Sequence, residues 1–229
     1  MVVRCCEAAQ ASGANRVVVA TDSPDILDVV KKCGFEGVLT REDHPTGTDR
    51  LAEAASLLNL NDQEIVVNLQ GDEPLMAPHL LTQVAERLAA HPEAMMATVV
   101  HPIHDHPSFM NPAVVKVILD AKDNAIWFSR APIPWPRDAF AQDPQTWPLE
   151  SSPLRNVGLY AYRRHFLPTY AGLAVSPAEK AESLEQLRVL HHGYVLSCVR
   201  VEEAPMGGVD TPEDLIRVRL QIDLSGQVR

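Results

Sequence analysis

Short runs rich in β-branched residues alternate along this chain with stretches whose apolar positions recur at helical spacing. Residues 2–12 read as a helix closed by Gly13, and 16–20 (RVVVA) as a buried strand. Ser23, Pro24 and Asp25 combine a cap with a first-turn proline, which predicts a helix to about Lys32. A strand over 36–40 follows. A helix over 48–58, with Thr48 as its cap, places Leu51, Ala54, Ala55 and Leu58 on one face. A strand over 65–69, a helix over 78–90 and a strand over 95–100 complete this half. Strands separated by helices predict an α/β fold, three layers around a mostly parallel, Rossmann-like sheet.

The pattern changes after His101. Residues 114–119 and 125–129, joined by DAKDN, predict a β-hairpin, and the prolines of 132–153 predict an irregular excursion. A strand over 156–162, a helix over 184–191, a strand over 195–199 and a closing helix over 212–224 follow. No internal repeat or low-complexity tract interrupts the chain. The expectation is one domain over 1–229, with 111–155 as a hairpin and Pro-rich excursion within it.

Composition narrows the function. The 229 residues suffice for one α/β core. A net charge of −10 argues against a nucleic-acid surface, which needs a basic patch, but leaves a nucleotide substrate open. Cys5, Cys6, Cys33 and Cys198 lack C-x-x-C spacing and read as buried thiols of a reducing compartment. The apolar runs are too short for a membrane span, and the first residues lack the apolar core of a signal peptide, so a cytoplasmic location is expected.

Three segments carry candidate chemistry. In IVVNLQGDEP an apolar strand ends in Asp72 and Glu73, with Gln70 and Gly71 just before them. Ligands of open α/β sheets bind at the carboxyl ends of strands, and carboxylates there suit a hard cation such as Mg²⁺ held jointly with substrate phosphates. In GVDTPED, a helix start accounts for Thr211, Pro212 and Asp214; Asp210 is left over and is the better metal candidate. The polar loop TREDHPTGTDR offers Arg41, Asp43, His44, Thr46 and Gly47 for base and ribose recognition, with a solvated loop as an equal alternative. His101, His104 and His106 match no zinc spacing, and prolines mark a turn there.

VVVATD, TREDHPTGTDR, VVNLQGDEP, VKVILD, WFSRAPIPW, NVGLYAYR, LEQLRVL and GVDTPEDL occur in this order and together resemble the 3-deoxy-manno-octulosonate (Kdo) cytidylyltransferases over essentially the whole chain. The resemblance implies a nucleotidyltransferase fold, a homodimer, Mg²⁺ dependence, CTP and Kdo as substrates, and a role in lipopolysaccharide biosynthesis. It implies that Asp72 and Asp210 hold Mg²⁺. It also implies that Gln70, Arg130, Tyr160, Glu185 and Gln186 line the sugar-acid side, and that the 41–50 loop faces cytidine. A CMP-sialate synthetase, a transferase for another acid sugar, or a non-catalytic remnant are the alternatives.

Two departures from the family pattern stand out. Asn156 occupies the position of an expected histidine. The family's A-R-x-x-S-x-R-x-P-G-K-P-L strand and phosphate loop would precede Met1. The expectation is therefore an N-terminally truncated domain, from a start assigned at an internal methionine or from a fragment, that binds CTP poorly as written.

Overall fold

The computed structural model describes residues 1–209 and 211–226, with side chains described as far as 222. In chain order the elements are α1 (Val2–Ala11), β1 (Val18–Thr21), α2 (Pro24–Lys32), β2 (Glu36–Leu39), α3 (Gly47–Leu57), β3 (Ile65–Asn68), α4 (Pro78–Ala90), β4 (Ala94–Pro102), α5 (His106–Met110), β5 (Lys116–Leu119), β6 (Ala125–Ser129), α6 (Arg137–Gln142), β7 (Leu154–Arg163), α7 (Phe166–Gly172), α8 (Pro177–Glu182), α9 (Gln186–His191), β8 (Val195–Arg200) and α10 (Pro212–Gly226). They form two compact units, one of residues 1–42, 69–82 and 205–229, the other of 43–68 and 83–204.

In the first unit β1 and β2 pair in parallel, Val18 opposite Glu36 and Thr21 opposite Leu39. The Ser23 hydroxyl caps α2 by accepting from Ile26 N, with Pro24 in the first turn and Lys31 and Lys32 at the C-terminal end of the dipole. Gly37 permits close packing of α2 on β2, since a Cβ there would lie 2.5 Å from Leu27 Cδ1. Cys5 and Cys6 are buried on α1, whereas Cys33 is exposed, contrary to the expectation of four buried thiols. Cys33 is the C-cap of α2, at the end of a helix whose one buried residue is Val30.

The second unit holds a six-stranded sheet of order β6-β5-β7-β4-β8, with β3 also paired to β7. β3, β4 and β5 all run antiparallel to β7, and β8 runs parallel to β4. Four strands therefore share one direction, as the helix–strand alternation predicts. Yet β7 lies among them reversed, so most ladders are antiparallel. The β5–β6 hairpin forms as expected, Lys116 opposite Ser129. Its tip reaches β8, where Cys198 N donates to Asp123 O at 2.7 Å.

The main core gathers Met96, Val100, Phe128, Tyr162, Phe166, Tyr170, Leu187 and Leu196. Full burial of such a side chain contributes about 1.5–3 kcal/mol. The Pro-rich excursion is less irregular than its composition suggests. α5 and α6 enclose a small core of Ile103, Phe109, Val114, Phe140 and Leu149, with the Phe109 and Phe140 rings edge to face at 6.3 Å.

Candidate active site

Residues 69–76, which follow β3, belong to the first unit and form a turn tied down from three sides. Glu73 N donates to Gln70 O at 3.2 Å, the Cys5 thiol donates to Gly71 O at 3.4 Å, and Val209 N donates to Asp72 O at 2.9 Å. Burial pushes the Cys5 thiol up to about 11, so it remains a donor. Gln70 is exposed, and Asp72 and Glu73 are half-buried. Gly208 fits against this turn only because it lacks a side chain: a Cβ would stand 2.8 Å from Glu73 Oε1 and 3.0 Å from Asp72 O. Arg217 reaches back from α10 to Gly208 O at 3.0 Å and to Asp214 at 2.9 Å. Asp214 and Thr211 make the reciprocal cap expected of them. Asp210 itself lies outside the described residues.

The arrangement suits Mg²⁺ by donor type. Asp72 and Glu73 supply hard carboxylate oxygens on a fixed backbone, with glycine alone tolerated opposite them. No cluster of three or more His, Cys, Asp or Glu that could enclose a metal stands among the described residues. A cation there would rest on one or two carboxylates and complete its shell with phosphate and water, as Mg²⁺ usually does.

Arg41 is exposed and lies in the first unit; Asp43, His44, Thr46 and Gly47 lie in the second. Thr46, not Thr48, caps α3: its hydroxyl accepts from Asp49 N at 3.2 Å and donates to Asp49 Oδ2 at 2.7 Å. Gly47 opens the helix. The His44 ring is 4 % exposed and hydrogen-bonds through Nε2 to the Glu53 carboxylate on α3, which fixes the loop's approach to that helix. Thr48, freed from capping, points inward. It is buried, donates to Glu185 Oε2 at 2.9 Å, and meets the Tyr162 hydroxyl at 3.1 Å.

Of the sugar-acid set named in the sequence, Arg130 directly follows β6, Tyr160 lies on β7, and Glu185 and Gln186 stand at the turn into α9, whereas Gln70 belongs to the first unit. Asn156 is buried; its side-chain oxygen accepts from Thr98 at 3.0 Å and its nitrogen donates to the Tyr160 hydroxyl at 2.6 Å. Burial pushes Tyr160 above the ordinary tyrosine range, so its hydroxyl keeps a proton to donate. Arg130 braces the turn between α8 and α9 by donating to Glu182 O at 2.6 Å and Ser183 O at 3.4 Å, where Ser183 has a left-handed φ of 51°. Glu185 and Gln186 follow directly on that turn, Gln186 buried at the start of α9.

Sequence reasoning missed the residues that support this set. Lys116 is fully buried, and its ammonium donates to the carbonyls of Asn111 at 2.9 Å, Val114 at 2.6 Å and Arg130 at 2.6 Å. Burial pulls it down to about 8, with Glu182 opposing. Glu182 accepts from Ser129 Oγ and Arg130 N. A lysine in the otherwise apolar strand VKVIL was the available signal.

A family model described as cytidylyltransferase matches residues 1–201. A solved structure of CMP:2-keto-3-deoxy-manno-octonic acid synthetase complexed with CTP is similar at 36 % identity and a TM-score of 0.88, over 98 % of this chain and 88 % of that one. The chain is a member of the cytidylyltransferase family.

Proposed function

We propose that this protein activates Kdo with CTP, giving CMP-Kdo and pyrophosphate for lipopolysaccharide biosynthesis. The observation that carries the reading is the likeness to CMP:2-keto-3-deoxy-manno-octonic acid synthetase, which extends over 98 % of the chain at 36 % identity. The anomeric hydroxyl of Kdo attacks the α-phosphorus of CTP in line. A bond forms between that oxygen and phosphorus, and the bond to the oxygen bridging to the β-phosphate breaks. Pyrophosphate leaves with the electron pair, and the hydroxyl proton passes to water. Such transfer depends on positioning and charge neutralisation more than on a protein nucleophile.

In this reading Arg41, Asp43, His44, Thr46 and Gly47 shape the cytidine side. Gln70, Arg130, Tyr160, Glu185 and Gln186 hold the sugar acid, with Arg130 as the positive charge available to its carboxylate. Asp72 and Asp210 would hold Mg²⁺, which when bound offsets charge on the phosphates as pyrophosphate departs.

The test is pyrophosphate release by the full chain with CTP, Kdo and Mg²⁺, against sialic acid as competitor substrate. Asp72→Asn and Asp210→Asn should each lower turnover by orders of magnitude with circular dichroism unchanged, because the lost charge stabilisation is several kcal/mol. Parent-like turnover in either variant would remove that residue from the site, and a preference for sialic acid would replace the substrate.

The same reading makes the protein a cytoplasmic homodimer. No described helix is long and apolar enough to cross a membrane. Ile126, Trp127 and Trp135 expose 55 %, 38 % and 57 % of their surface on or just after β6. Aromatics concentrate at interface cores. Sedimentation should give a dimer at micromolar concentration; a monomer alone would refute it.

A further inference from the structure

We infer that Thr48 and Tyr162 are positioning residues for Glu185, tying the start of α3 to the carboxylate that meets the sugar acid. The inference rests on the reading of Glu185 as a Kdo ligand.

The direction of the hydrogen bonds follows from donor counting. Thr48 has a single hydroxyl proton, and an ionised carboxylate only accepts. The 2.9 Å contact to Glu185 Oε2 therefore takes that proton. Thr48 must then accept from the Tyr162 hydroxyl at 3.1 Å. Burial raises Tyr162 well above its ordinary value, so it stays a donor. The result is a one-way chain, Tyr162 to Thr48 to Glu185, inside the main core. Tyr170 adds a contact from its hydroxyl to Glu185 O at 3.4 Å, which steadies the backbone on the other side. One carboxylate oxygen of Glu185 is held by this chain, and a substrate hydroxyl would meet the other.

Thr48 sits one residue past Gly47 and two past Thr46, the cap of α3. Displacement of the 43–47 loop would therefore reach Glu185 through one side chain and one hydrogen bond. A purely structural Thr48 would pack its methyl and leave Glu185 free to rotate. The observed hydroxyl geometry fixes the rotamer instead.

Glu185→Gln is measured first, with KM for Kdo as the readout. Thr48→Val keeps shape and removes the hydroxyl; it should raise the KM for Kdo about tenfold, the loss of one hydrogen bond to a charged group. Thr48→Ser should restore the parent value, and Tyr162→Phe should shift KM in the same direction by less. In the Glu185→Gln background, Thr48→Val should have little additional effect, because the two act through one contact. If Glu185→Gln leaves the KM for Kdo unchanged, the reading of Glu185 fails and takes the inference with it. If Glu185→Gln raises KM while Thr48→Val does not, or the two effects multiply independently, only the positioning role is overturned. Thermal melting of each variant separates these outcomes from misfolding.

Discussion

Replacing Arg188 by methionine would strand a carboxylate in the second unit's interior. The side chains of Arg188 and Glu179 are 4 % and 8 % exposed, and the guanidinium grips the carboxylate through Nε at 3.0 Å and a second nitrogen at 2.5 Å. Glu179 also closes the capping box of α8 on Ser176, and Arg188 lies 4.6 Å from the centre of the Tyr170 ring. Removing one partner of a buried ion pair costs about 3–5 kcal/mol, since the other charge is left without compensation. Loss of the cation over Tyr170 adds about 1 kcal/mol. At about 2–4 °C per kcal/mol for a chain of this size, the melting temperature should fall by roughly 10–20 °C. The double variant Glu179→Met with Arg188→Met should recover most of this, because both desolvation penalties disappear together. It should remain about 1–2 kcal/mol below the parent for the broken cap. Urea unfolding of parent, single and double variants measures all three. A single variant within about 1 kcal/mol of the parent, or a double variant worse than the single, would refute the reasoning.

Lys116 gives a pH signature. Its folded value of about 8 lies below the ordinary 10.5, so the unfolded chain holds more protons between those limits and stability rises with pH there. Relative to Lys116→Met, the parent should gain stability between about pH 8 and pH 10.5, by up to about 1.4 kcal/mol per pH unit, read by urea unfolding; parallel curves would refute it. Gly208→Ala should push the Glu73 carboxylate aside and strain the Val209–Asp72 hydrogen bond, while costing only about 1 kcal/mol of stability. Pyrophosphate release should drop at least about tenfold, and unchanged turnover would show that this close approach does not matter.

Signals that are local were readable in the sequence, and those that depend on distant pairing were not. α2 was announced by Ser23 and Pro24, and α4 by its apolar spacing. The start of α3 was misplaced because Thr46 and Thr48 both stand where a cap can stand; only burial shows that Thr48 faces inward. α5 has five residues, too few for periodicity, although Asp105 caps it through Ser108 N at 2.7 Å. α8 carried a legible capping box in Ser176-Pro177-Ala178-Glu179 that went unread. The reversed direction of β7 has no signature in its own residues. The acidic turn at Asp72 was visible as composition, but the Thr48–Glu185 contact joins residues far apart along the chain, and no pattern near either one announces it.

β7 has a consequence for how the second unit is made. β3 and β4 do not pair with each other; each pairs with β7, as does β5. Ile65 meets Arg163 across about a hundred residues of intervening chain. On a ribosome, β3, β4 and the β5–β6 hairpin emerge before the strand that joins them exists, and their apolar faces wait uncovered. Formation of the sheet is therefore a late, concerted event in synthesis rather than a strand-by-strand extension. Pairings of such long sequence separation fold slowly and leave edges open to other chains in the interval. A ribosome stalled short of Leu154 would hold a chain with six of its strands but without the strand that joins β3, β4 and β5, a natural substrate for chaperones.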